Sequence, residues 1–90
     1  MTYYAMKYLA THPYVKREAN PHKLAVRFGK KCRQVRHEHG LSQLDMVRYA
    51  DFSLSHYQKI ERGDLDPRLT TIKRLADAFG VSMAELLDGL

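Results

Sequence analysis

Apolar residues recur along most of this chain at helical spacing. Leu24, Phe28, Cys32 and Val35 follow at intervals of four, four and three, forming one apolar stripe. Arg27, Lys30, Lys31, Arg33 and Gln34 fall on the other faces. Asn20 before Pro21 marks a helix start, because proline suits the first helical position. Gly40 ends the helix as a left-handed cap. Ser42 opens a second helix of about two turns, with Asp45 near its positive end and Met46, Val47 and Ala50 inward. Ser53 caps a third helix that runs through Arg62, with Tyr57 and Ile60 inward and Gly63 closing it. After the loop Asp64-Leu65-Asp66-Pro67, a fourth helix carries the stripe Leu69, Ile72, Leu75, Ala76 and Phe79 and is capped by Gly80. Ser82-Met83-Ala84-Glu85 has capping-box spacing and opens a fifth short helix with Leu86 and Leu87. The expectation is an all-α, compact five-helix bundle over 24–90, preceded by an extension, 1–23.

That extension holds four of the six tyrosines, Tyr3, Tyr4, Tyr8 and Tyr14, and is punctuated by Pro13. Its first part reads as a short helix capped by Thr2 or as a strand; periodicity does not choose. The tyrosines could pack on the domain, mediate self-association, dock a protein partner, or carry Lys16 and Arg17 to DNA. Packing or self-association is favoured, since tyrosine suits surfaces dry at one end and wet at the other.

At 90 residues, one domain with a small core is expected. No apolar run approaches the ~20 residues that span a bilayer. Lys7 and the polar-tipped residues of Met1–Ala10 argue against a secretory signal. The single cysteine, Cys32, excludes an internal disulfide framework and reads as a core thiol. A cytoplasmic location follows as an expectation, nucleoid-associated through DNA. The net charge is +5, but residues 1–48 carry +7 and residues 49–90 carry −2. A lopsided basic protein of this size suits a polyanion, nucleic acid before membrane. His37 and His39 resemble a metal pair, yet residues two apart on a helix do not face one another. No metal, no cofactor and no nucleophile arrangement is expected, so enzyme chemistry has no support.

Ser42–Gly63 is the informative stretch. Two short helices cross at a turn through Asp51 and Phe52, and the second opens with the small polar residues Ser53, Ser55 and His56. That is the layout of a helix-turn-helix, whose second helix enters the DNA major groove. Ser55 and Lys59 lie four apart and share a face. Lys59 can donate to guanine O6 or N7, whereas Ser55 can serve any base. Leu54 could rest on a thymine methyl or simply pack. His56 suits backbone or solvent better than a base edge.

Gly40-Leu41-Ser42-Gln43, Ile60-Glu61-Arg62-Gly63, Pro67, Leu75-Ala76 and Phe79-Gly80-Val81-Ser82 together resemble the Cro/phage-repressor, XRE-like family of helix-turn-helix regulators. The resemblance covers about residues 24–88. It implies that Ser53, Leu54, Ser55 and Lys59 read bases, that Gln43, Arg62 and Arg68 contact phosphates, and that Arg36 and Glu61 form a structural ion pair. Departures from the pattern are Asp51 where glycine is usual in the turn, Val47 for alanine, Phe52 for a smaller aliphatic, and an acidic loop at Asp64–Asp66. Asp tolerates the left-handed conformation, so the turn should survive. The function expected is a sequence-specific transcriptional regulator, more a repressor than an activator, binding double-stranded DNA as a homodimer on an inverted repeat. One short helix reads too few base pairs to discriminate alone, and Leu86, Leu87 and Leu90 offer apolar surface to a second copy. The alternatives are an antitoxin that binds a toxin and represses its own operon, or a restriction–modification controller; RNA polymerase is a further possible partner.

Overall fold

The computed structural model describes residues 21–90, with side chains from Lys23 onward; the expectations for residues 1–20 lie outside the described residues. Five helices follow one another: α1 Pro21–Glu38, α2 Gln43–Ala50, α3 Leu54–Arg62, α4 Leu69–Phe79 and α5 Met83–Leu87. Among the described residues there is no strand. The fold is all-α and contains the helix-turn-helix as α2 and α3.

The boundaries follow from local chemistry. Gly40 (φ 66°) turns the chain after α1, and the amides of Gly40 and Leu41 donate back to His37 and Arg36 carbonyls. Ser42 and Asp45 exchange bonds at the start of α2: Ser42 Oγ accepts from the Asp45 amide, and Asp45 Oδ2 accepts from the Ser42 amide. Ser53 Oγ accepts from the His56 amide and caps α3. At α5 the box is only half formed. Ser82 Oγ accepts from the Glu85 amide, but the Glu85 carboxylate takes the Ser82 hydroxyl proton rather than a backbone amide.

α1 packs on α3 and α5, α2 on α3 and α4, and α4 on α5. Phe28, Cys32, Val35, Met46, Ala50, Phe52, Tyr57, Ile60, Leu75, Ala76, Phe79 and Leu86 form one core. Three assignments from the apolar pattern are corrected. Leu24 is 44% exposed and Leu69 is 70% exposed, so neither lies in the core. Both sit in the first turns of their helices, and Leu24 lines an open groove with Leu87 and Leu90 instead of the core. Leu86 is fully buried by its own chain, leaving only Leu87 and Leu90 at the C-terminus for a partner.

The periodic pattern does not single out Gly29, yet it governs how α1 meets α3. A Cβ there would lie 2.5 Å from the Ile60 carbonyl oxygen and closer still to that of Glu61. Gly63 (φ 74°) meets the same crossing from the other side, where a Cβ would fall 2.5 Å from Val26 Cα. Backbone therefore touches backbone at the α1–α3 crossing, and no flexible side chain stands between them to give way. Gly29→Ala is expected to lower stability by about 2 kcal/mol despite alanine's better helix propensity, through overpacking. Thermal melts should show a drop of roughly 10 °C; an unchanged or raised melting temperature would show that the crossing can open.

Candidate nucleic-acid interface

The site is the outer surface of α3 and the helix starts beside it. Ser53 is the α3 N-cap, in extended backbone (φ −70°, ψ 153°). Its hydroxyl oxygen serves the cap, which leaves the hydroxyl proton free to donate. Leu54 is 37% exposed, and Ser55 and Lys59 are exposed. Tyr57 and Ile60 turn inward on the opposite side and hold α3 against the core. The leading edge of α3 is thus uncovered by the rest of the described chain.

Arg36 and Glu61 meet across the α1–α3 crossing. Arg36 Nε lies 2.7 Å from Glu61 Oε2 and Nη2 lies 3.2 Å from Oε1, a bidentate pair. Arg36 Nη1 also donates to the Leu41 carbonyl, which ties the α1–α2 turn to the same centre. Burial alone would raise the Glu61 pKa, but the hydrogen bonds from Arg36 foremost, with that from Gln43, hold it below the usual carboxylate range. The same bond raises the Arg36 pKa further. Burial, reinforced by the Glu61 charge, pushes the Cys32 thiol up to about 12, so this cysteine is an inert core group.

Two residues absent from the sequence-based site belong to this region. Gln58, half-buried on α3, donates to Gln43 Oε1 at 3.2 Å, and Gln43 Nε2 donates to Glu61 Oε1 at 3.3 Å. A chain of polar groups thereby runs from α3 through the first residue of α2 to the ion pair. Arg33 is the other. It joins Arg36, Gln43, Gln58, Glu61 and Arg62 around a polar groove of about 320 Å³ where α1, α2 and α3 converge. The fold divides the basic face of α1. Arg33 flanks α3, whereas Lys31 donates to the Asp88 carbonyl near the C-terminus, on a different groove it shares with Arg27 and Lys30. Gln58 could have been picked out as the position one turn after Leu54. Arg33 needed the three-helix arrangement.

The remaining sequence-selected residues are placed less centrally. Gln43 points its side chain inward, toward Glu61, while its own amide sits in the first turn of α2. Arg62 pairs with Asp64 at 2.8 Å, with both side chains about half exposed. Such a pair contributes about 0–1 kcal/mol, so a phosphate can displace the carboxylate cheaply. Arg68 is exposed at the N-cap of α4, without a side-chain capping bond. Among the described residues no cluster of His, Cys, Asp or Glu could hold a metal ion, and no helix is long and apolar enough to cross a membrane.

A helix-turn-helix with a tethered, outward-facing second helix is the class this arrangement defines. The helix-turn-helix family model matches residues 30–86. The chain is 33% identical over 60 residues to the HTH-type transcriptional regulator DdrOP3 of Deinococcus deserti, covering 67% of this chain and 46% of that protein. It is 36% identical over 59 residues to the uncharacterized HTH-type transcriptional regulator y4dJ of Sinorhizobium fredii, covering 66% of this chain and 77% of the relative. Among solved structures, the restriction-modification controller protein C.AhdI from Aeromonas hydrophila superposes with a TM-score of 0.67 at 32% identity, over 69% of this chain and 94% of that one. The chain belongs to the helix-turn-helix family, in its XRE-like form. It spans just under half the length of DdrOP3, so that regulator has further chain with no counterpart in the match.

The depressed Glu61 pKa fixes the sign of one pH effect. A carboxylate with a lowered folded pKa stabilises fully above its unfolded value of about 4.3 and loses that contribution as pH falls through the folded value. Wild-type melting temperature should therefore fall below about pH 4. Glu61→Gln should melt far lower at neutral pH, by about 3–5 kcal/mol for stranding buried Arg36, and its acid limb should be flatter. Parallel acid limbs for the two proteins in a pH series of thermal melts would show that another carboxylate dominates.

Proposed function

We propose that this protein is a sequence-specific DNA-binding transcriptional regulator that lays α3 in the major groove. The observation that carries the reading is the uncovered leading edge of α3, where Ser53, Leu54, Ser55 and Lys59 face outward on a helix fixed from behind by Tyr57, Ile60 and Glu61. The regulator names of the relatives support the same reading. It describes binding, not catalysis. In this reading Lys59 donates to a guanine edge, Ser55 and Ser53 donate or accept at neighbouring positions, and Leu54 lies against a thymine methyl. Arg62 and Arg68 meet phosphates on either side, and the α2 N-terminus offers the Gln43 amide to another.

The reading includes a homodimer on an inverted repeat acting as a repressor, because a nine-residue helix reads too few base pairs on its own. Support comes from an apolar groove of about 290 Å³ lined by Leu24, Phe28, Pro67, Ile72, Leu87 and Leu90, which a symmetry-related copy could cover. The likeness to C.AhdI, nearly complete over that shorter chain, favours a second reading within the same class, a restriction–modification controller. Footprinting on the DNA flanking the protein's own gene tests both: a symmetric protected region supports the dimer, and an adjacent restriction–modification operon supports the controller.

Lys59→Ala and Ser55→Ala should broaden the sites recovered from a random-sequence library while leaving the fold intact by circular dichroism. Unchanged site preference would remove them from the reading surface. Arg62→Ala and Arg68→Ala should weaken binding to every sequence and reduce the salt dependence by about one unit of slope each. A mutant that loses only its best site would instead be a base reader.

A further inference from the structure

α1, α3 and α4 each end at a glycine of positive φ, whereas α2, at the helix-turn-helix turn, ends differently. Gly63 and Gly80 donate their own amides back to the last turns of α3 and α4, and the Gly40–Leu41 amides do the same for α1. At the end of α2 the turn residue is Asp51 (φ 57°, ψ 48°), the one non-glycine residue with positive φ among the described residues. A non-glycine residue in that conformation is costly by about 1 kcal/mol. The carbonyls there are taken by a side chain from α4. Arg74 Nε and Nη2 donate to the Ala50 carbonyl at 3.1 and 2.6 Å, and Nη2 also reaches the Asp51 carbonyl at 2.5 Å.

The same guanidinium stands 4.2 Å from the centroid of the Phe52 ring. Phe52 in turn meets the His56 ring edge-on, at 4.9 Å between centroids and 74° between planes. His56 lies in the first turn of α3, where its amide donates to the Ser53 cap. A continuous contact chain therefore runs from α4, through the turn, to the leading turn of the helix whose outer face carries Ser53, Leu54 and Ser55. The cation also sits at the negative end of the α2 dipole, and its planar fork fits two neighbouring carbonyls in a way that a lysine ammonium does not.

The geometry points to Arg74 as a positioning residue that sets the angle at which α3 leaves α2, and through it the sequence selectivity of the proposed DNA interface, standing in for the turn glycine that Asp51 replaces. This rests on the DNA-binding reading. Arg74 touches the turn from the side of α4 and is not itself part of the reading surface.

The test compares wild type, Arg74→Lys, Arg74→Met, Asp51→Gly and the Arg74→Met/Asp51→Gly double variant at a temperature where circular dichroism shows each fully folded. Two measurements are made: affinity for the site selected by wild type against random-sequence duplex, and the α2–α3 angle from residual dipolar couplings. Arg74→Met should lose about tenfold in affinity for the selected site, the cost of one missed base pair, with random-sequence affinity changed by less than about twofold. Arg74→Lys should keep the charge and fall between the two. Asp51→Gly should restore most of the loss in the Met background, because glycine holds the turn without the clamp. The α2–α3 angle should move in Arg74→Met and return in the double variant. Equal losses on both DNAs, or full rescue by Lys, would make Arg74 a mere charge contributor and overturn the proposal. An unmoved angle would overturn it as well. If wild type selects no sequence, the DNA reading fails, and the angle alone decides whether Arg74 positions α3.

Discussion

The bidentate pair of Arg36 and Glu61 is the interaction on which the arrangement depends, because it is made where two backbones already touch. Gly29 and Gly63 bring α1 and the end of α3 into direct contact, and that approach places the carboxylate of α3 within reach of the guanidinium of α1. Neither feature works alone. A longer separation would leave two charges in a partly apolar crossing with nothing to compensate them, a situation that costs several kcal/mol per ion. A close crossing without the pair would have only van der Waals contact to fix rotation about the helix axes. Together they fix both separation and rotation. The third bond of Arg36, to the Leu41 carbonyl, extends that control to the start of α2.

From that centre outward, polar contacts grow weaker and more exposed, and this gradient suits a surface that must meet a polyanion. Glu61 is satisfied several times over, Gln43 and Gln58 pass one bond each between α2 and α3, and Arg62 holds only an exposed partner. The buried groups cannot exchange partners without large cost, so they define geometry. The exposed ones can, so they are available to phosphates. The acidic loop takes on a role in this light. Asp64 holds the Arg62 guanidinium near the end of α3 through an exposed pair, which in the proposed reading a phosphate would displace.

Much of this architecture was legible in the sequence, and for local reasons. Ser42, Ser53 and Ser82 announce their helices through bonds made within four residues, and Gly40, Gly63 and Gly80 end theirs the same way. Core positions in the middle of each stripe followed from spacing. Leu24 and Leu69 were misassigned because periodicity reports which face a residue occupies but not how fully that face is covered at the end of a helix. Gly29 gave no signal, since an interior helical glycine looks like a local defect until the partner backbone is placed against it. Gln58 and Arg33 were missed for a related reason: their partners are 15 residues away for one and spread over three helices for the other.

The treatment of Asp51 separates two ways in which a fold can accommodate a departure from its usual pattern. Asp tolerates the left-handed turn conformation, and that alone would predict a turn that survives at a modest cost. The structure adds a bond donor from another helix, so the turn is held from outside as well as permitted from within. A turn that is only permitted is a hinge, free to sample angles between its helices. A turn that is clamped is a joint with one angle. For a helix proposed to present three or four side chains to base edges in register, the second condition is the demanding one. It is met by a residue, Arg74, that lies 15 positions beyond the last of the side chains it would align.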